Sequence, residues 1–111
     1  MNAQIIIKFD LEGFHKYENA PPTVKFLRDS HRHTFKITCA YNVTDLNREK
    51  EIFLERAFIK QYLNESFGSP CYFGNMSCEM IAKEILDFGK IDNMCWVEVH
   101  EEETGGARVE I

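Results

Sequence analysis

The sequence predicts one α+β domain in which an antiparallel sheet carries two helices on one face, with the elements in the order ββααββ. Three observations predict it. Residues 34–43 alternate, with Phe35, Ile37, Cys39, Tyr41 and Val43 set against Lys36, Thr38 and Asn42, the pattern of a half-buried strand. Two later stretches place apolar side chains at three- and four-residue spacing, the helical period. The chain then ends on two short β-rich runs around Glu103-Thr104-Gly105-Gly106, a hairpin. A chain of 111 residues holds one modest core, so residues 1–111 are read as a single domain.

Taken in order, Gln4–Asp10 reads as the first strand, rich in β-branched and aromatic residues. A long loop follows, with Glu12-Gly13, Asn19 and Pro21-Pro22 as turn formers, and it leads into a dense histidine cluster. Long irregular connections in small domains tend to carry function, which directs attention to that cluster. After the second strand, Asp45 or Asn47 is expected to cap a helix over Arg48–Ser66, with Ile52, Phe53, Ala57, Ile59, Tyr62 and Leu63 inward. A loop through Gly68, Pro70, Gly74 and Asn75 leads to Ser77, the expected cap of a second helix. That helix turns Met80, Ile81, Ile85 and Leu86 inward and stops at Gly89. Met94–His100 and Ala107–Ile111 form the closing hairpin.

Composition removes several function classes. With 44% hydrophobic and 13% aromatic residues the chain is not a disordered tail. A net charge of -5 and a pI near 5.3 argue against nucleic acid as a partner, since affinity for a phosphate backbone comes from basic side chains. The sequence contains no apolar run of membrane-spanning length and no basic-then-apolar leader after Met1, so the expectation is a cytoplasmic protein with no membrane partner. Cys39, Cys71, Cys78 and Cys95 form no C-x-x-C pair and are expected as free thiols. A chain this small commonly completes its core with a metal or with its own copies.

Three of the four histidines precede residue 34: His15, His31 and His33. Two residues apart on a strand, His31 and His33 project from the same face, and antiparallel pairing returns His15 toward them. Three neutral imidazoles with no cysteine beside them favour Zn²⁺ and leave its fourth position open, as in catalytic or ligand-binding zinc. His100 reads as an ordinary strand residue. The acidic run Glu98, Glu101, Glu102 and Glu103 is either a solvated hairpin end or the source of one inward carboxylate that accepts paired N–H donors from a guanine-like edge.

Leu11-Glu12-Gly13-Phe14-His15-Lys16, Ser30-His31-Arg32-His33-Thr34-Phe35, Met76-Ser77-Cys78-Glu79-Met80-Ile81-Ala82 and Val97-Glu98-Val99-His100-Glu101-Glu102-Glu103-Thr104 resemble, in order, the landmarks of the 6-pyruvoyl-tetrahydropterin synthase and 6-carboxytetrahydropterin synthase family. The resemblance spans nearly the whole chain. It implies the tunnelling fold, in which subunits join their sheets into a barrel as trimers or hexamers. It implies Zn²⁺ on His15, His31 and His33, a ligand-anchoring carboxylate at Glu101, and ligand-binding roles for Ser77 and Glu79. The implied activity is that of a zinc-dependent synthase, a carbon-oxygen lyase or related enzyme, acting on a pterin of the dihydroneopterin triphosphate type.

The chain departs from that pattern where the family does its acid-base chemistry. The position four residues ahead of the H-x-H motif, a cysteine in the family, is Leu27, and the nearest carboxylate is Asp29. The family's Asp-His pair aligns with Ile59-Lys60. Asp29 and Lys60 are therefore the candidate catalytic substitutes, with His100 a third. If none of them substitutes, the chain is an inactive zinc-containing binder that sequesters or senses a pterin or guanine-type nucleotide. The plainest reading is a barrel whose zinc only stabilises the fold.

Overall fold

Alternating burial continues well past Asp10: Ile7, Phe9, Leu11, Gly13 and His15 are buried while Lys8, Asp10 and Glu12 face solvent. The first strand, β1, therefore runs Ala3–His15 in the computed structural model, which describes residues 1–111. The second, β2, runs His31–Val43 and pairs with β1 antiparallel along its whole length, from Ala3 opposite Val43 to His15 opposite His31. His15 is thus the last residue of a strand and not part of the loop. The loop is correspondingly shorter and contains a 3-10 turn over Pro22–Arg28, entered through the fixed backbone of Pro21 and Pro22.

The first helix, α1, covers Ile52–Phe67 and starts later than the sequence suggests. Asp45 and Asn47 do not cap it. The Asp45 carboxylate accepts the Asn47 N–H, and Glu49 accepts the N–H groups of Thr44 and Asp45, all at 2.9 Å. Arg48 takes a positive φ of 58°, outside the helical path. These bonds close residues 44–49 into a turn of their own and leave the cap to Glu51, whose carboxylate accepts from Phe53 and Leu54 N–H. Ile59 and Leu63 are buried as expected, but Ile52, Phe53 and Ala57 are exposed, because the helix packs on the sheet only through its second half.

Cys71–Tyr72 forms a short strand, β3, parallel to β1 at Gly13 and Phe14, so the sheet is mixed and not purely antiparallel. Two residues are too few to show a strand period in sequence. Helix α2 covers Cys78–Gly89 and Ser77 caps it as read, its Oγ accepting the Met80 N–H at 3.2 Å. Ile81, Ile85 and Leu86 are buried, whereas Met80 is exposed. Gly89 is the last helical residue but not the stop: a 3-10 turn over Lys90–Asp92 follows, and Asn93 in the left-handed conformation ends it. Gly89 is used for close packing instead, since a Cβ there would collide with Met94.

Strands β4 (Met94–Glu101) and β5 (Gly105–Glu110) complete the sheet in the order β3-β1-β2-β4-β5. Both helices cover one face, where Ile7, Phe35, Ile37, Val97 and Val99 meet Ile59, Leu63, Ile81 and Ile85 in a single core. Each such side chain contributes about 1.5–3 kcal/mol relative to exposure. The structure is α+β as predicted. No helix is long and apolar enough to cross a membrane, and all four cysteines are free.

Candidate metal centre and adjoining cavity

In an antiparallel pair, residues directly opposite share a face. His15 lies opposite His31 and Gly13 lies opposite His33, so the three imidazoles gather at one end of β1 and β2 on the helix-covered face. Gly13 makes this possible by bareness: a Cβ there would press on the Phe35 and Phe73 rings at 3.0 Å. Phe35 in turn floors the cluster, its ring 5.2 Å from that of His15 and 5.6 Å from that of His33.

The imidazole centroids are 4.7, 5.0 and 5.1 Å apart, and one nitrogen of each ring lies within 4.8 Å of the other two. The opposite nitrogen of every ring is held by an oxygen. His15 Nδ1 donates to the Met76 carbonyl at 3.0 Å, His31 Nδ1 to the Asp29 carbonyl at 2.8 Å, and His33 Nδ1 to the Glu102 carboxylate at 2.8 Å. A carbonyl can only accept, so these bonds place the protons of His15 and His31 on Nδ1 and direct the Nε2 lone pairs into the cluster. Burial holds the His15 pKa below the ordinary histidine value, against the Met76 bond and the Glu101 charge, which act in the opposite sense.

Nε2 of His15 and of His33 are buried and have no hydrogen-bond partner. The Glu101 carboxylate faces both, Oε1 at 3.3 Å from His15 and Oε2 at 3.3 Å from His33. A lone pair facing a carboxylate oxygen is unfavourable unless a cation or proton stands between them. The three histidines can hold a metal ion, and the all-nitrogen donor set with its oxygen-anchored rings has the chemistry of a zinc site.

An open cavity of about 750 Å³ adjoins the centre. His15, His31 and Glu101 form its inner end. Lys16, Tyr17 and Leu27, the first turn of α2 from Ser77 to Met80, and Thr104–Ala107 also line it. Ser77 and Glu79 are therefore both at the cavity, Ser77 with its Oγ already engaged by the helix and Glu79 exposed. The Glu79 carboxyl is held below the usual carboxylate range by its own backbone N–H and by Ser77. Cys78 donates to Glu101 Oε1 at 3.5 Å, and burial, reinforced by the Glu101 charge, pushes its thiol up to about 12.

The two candidate catalytic substitutes are not brought to this site. Asp29 serves through its backbone carbonyl, not its carboxylate, and does not line the cavity. Lys60 lies on α1 and does not line it either. His100 bonds Glu98 at 2.8 Å on the opposite face of the sheet. Leu27, by contrast, does line the cavity. Glu102, one of the four carboxylates of the acidic run but given no role by the sequence reading, holds the centre: its carboxylate takes both His33 Nδ1 and the Thr34 N–H at 2.8 Å. Burial opposes its charge, yet those two donors hold its pKa below the ordinary value. The acidic run marked the place, but which glutamate turns inward depends on where β4 ends.

Fold and site together define an α+β protein with a three-histidine centre at the inner end of an open cavity. No family model matches the chain, and no curated protein matches it in sequence. In three dimensions it is similar to an uncharacterized protein from Wolinella succinogenes, at 15% sequence identity and a TM-score of 0.68, with 99% of this chain and 98% of that chain covered. That likeness is one of fold alone.

Proposed function

We propose that the chain is a zinc-containing binding protein for a pterin or guanine-type heterocycle, a member of the pterin synthase family that has lost turnover. In this reading the sheet joins those of other copies into the oligomeric barrel of the tunnelling fold. One observation carries the proposal: the cavity that joins His15 and His31 to the Glu101 carboxylate is lined by Leu27, with neither Asp29 nor Lys60 reaching it.

Zinc, when bound, supplies a Lewis acid for an oxygen of the ligand. The chain's own residues do the rest. Glu101 accepts paired N–H donors of the heterocycle, and the Cys78 thiol, kept protonated, donates to its Oε1. Tyr17, Leu27 and Met80 give a planar ring apolar surface. The position that holds the family's acid-base cysteine is Leu27 here, and it carries no titratable group to move a proton to or from a ligand side chain.

The test combines metal analysis with calorimetry. The expected result is about one zinc per chain, lost in His31→Ala, with neopterin or guanosine bound by the loaded protein and binding weakened about 100-fold or more in Glu101→Ala. Dihydroneopterin triphosphate should not be consumed. Consumption that follows enzyme concentration would overturn the binder in favour of the zinc-dependent synthase. Unchanged zinc content in His31→Ala would refute the centre itself.

A further inference from the structure

We infer that the cavity takes a heterocycle carrying no phosphate, a free base or nucleoside-type ligand and not a phosphate ester. This rests on the heterocycle reading above and narrows it to a chemical class. The first observation is the charge of the walls. Glu79 and Glu101 line the cavity, and the only lysine or arginine that does so is Lys16, whose Nζ is already paired with Glu18 at 3.0 Å. The five arginines are engaged elsewhere: Arg28 on the Ala20 carbonyl, Arg32 on Glu12, Arg48 on Asn47, Arg56 over the Phe53 ring and Arg108 over the Trp96 ring. A divalent ion on the histidines brings two positive charges, but Glu101 and Glu102 stand against the same rings and offset them.

The second observation concerns α2. A helix N-terminus pointing into a cavity is the usual place for a phosphate, because its first N–H groups lack partners. Here the protein fills that place itself. Ser77 Oγ takes the Met80 N–H, and the Glu79 carboxylate stands in the same first turn. A phosphate entering that turn would face that carboxylate. A neutral heterocycle meets no such opposition, and its N–H edge is attracted by Glu101.

Calorimetry on the zinc-loaded full chain, with metal content checked afterwards, tests this with two pairs of probes: neopterin against neopterin triphosphate, and guanosine against guanosine triphosphate. The unphosphorylated member of each pair should bind more tightly by about tenfold or more, with little dependence on salt. Glu79→Gln should narrow that gap, and a gap it leaves unchanged would overturn the charge explanation. Tighter binding of both triphosphates would overturn the inference and leave the heterocycle reading standing. Binding by neither member of either pair would overturn the heterocycle reading, and this inference with it.

Discussion

Each imidazole of the centre is oriented by an oxygen on its far nitrogen, and the three oxygens come from three different places: the Met76 carbonyl, the Asp29 carbonyl and the Glu102 side chain. Only the last can be removed by mutation. Glu102→Ala should lower zinc affinity about 10–100-fold, read by competition with a chromophoric chelator, while Glu102→Gln retains an acceptor and loses less. A second prediction concerns pH. Burial depresses the His15 pKa in the fold, so below the unfolded value of 6.5 the unfolded chain binds a proton that the metal-free fold resists. The unfolded state then holds more protons, and stability rises with pH. The urea midpoint of the metal-free protein should therefore fall as pH is lowered from about 7.5 through 6.5, and His15→Gln should flatten that slope. Equal slopes for the two proteins would contradict it. At this scale His31 and His33 were legible because a strand's period of two is independent of its partners, and His15 because antiparallel pairing returns it toward them, whereas Glu102 was not, because it reaches His33 only through a turn in which its own φ is +47°.

Among the elements, α2 and the β4–β5 hairpin carry the cavity wall, and each has a residue whose replacement tests its part. Ser77→Ala removes the cap of α2 and should cost about 1 kcal/mol in denaturant unfolding. Gly106 sits opposite His100, and a Cβ there would run into the Val99 carbonyl and lie 2.6 Å from His100 Cα. Backbone cannot yield as a flexible side chain can. Gly106→Ala should therefore destabilise the protein by about 3 kcal/mol and, by pushing β5 away from β4 next to Glu101, weaken ligand binding as well. Retained stability in that variant would show that the hairpin accommodates the extra atom. The elements differed in how far sequence could define them. Helix α2 was readable from a cap and a clean apolar face, but α1 was misplaced because Asp45, good cap chemistry in isolation, is spent on the Asn47 turn. The apolar residues Ile52 and Phe53 misled for a related reason: their spacing is helical, yet the sheet does not extend beneath them.

The whole molecule is more extended than its size requires. Its radius of gyration is 14.9 Å, where about 13.2 Å is typical of 111 residues. Its surface is 6976 Å², where about 6300 Å² is typical of 13.0 kDa. The sheet also ends at β5, whose outer edge is unpaired. Such an edge is a template for another chain. Ile111 N–H bonds back to Cys95, so by antiparallel alternation the N–H groups of Ala107 and Val109 point to β4 and that of Arg108 points outward. If the proposed barrel forms through this edge, the zinc-loaded protein should have the mass of a trimer or hexamer in native mass spectrometry, and its Tm should rise with protein concentration. Arg108→Pro removes a central outward donor without touching the backbone bonds to β4 and should shift the mass to smaller species. Arg108→Ala, which loses only the contacts to Trp96 and Glu98, should not. A monomer at micromolar concentration, or identical assemblies for both variants, would place the extra surface outside any edge-paired barrel.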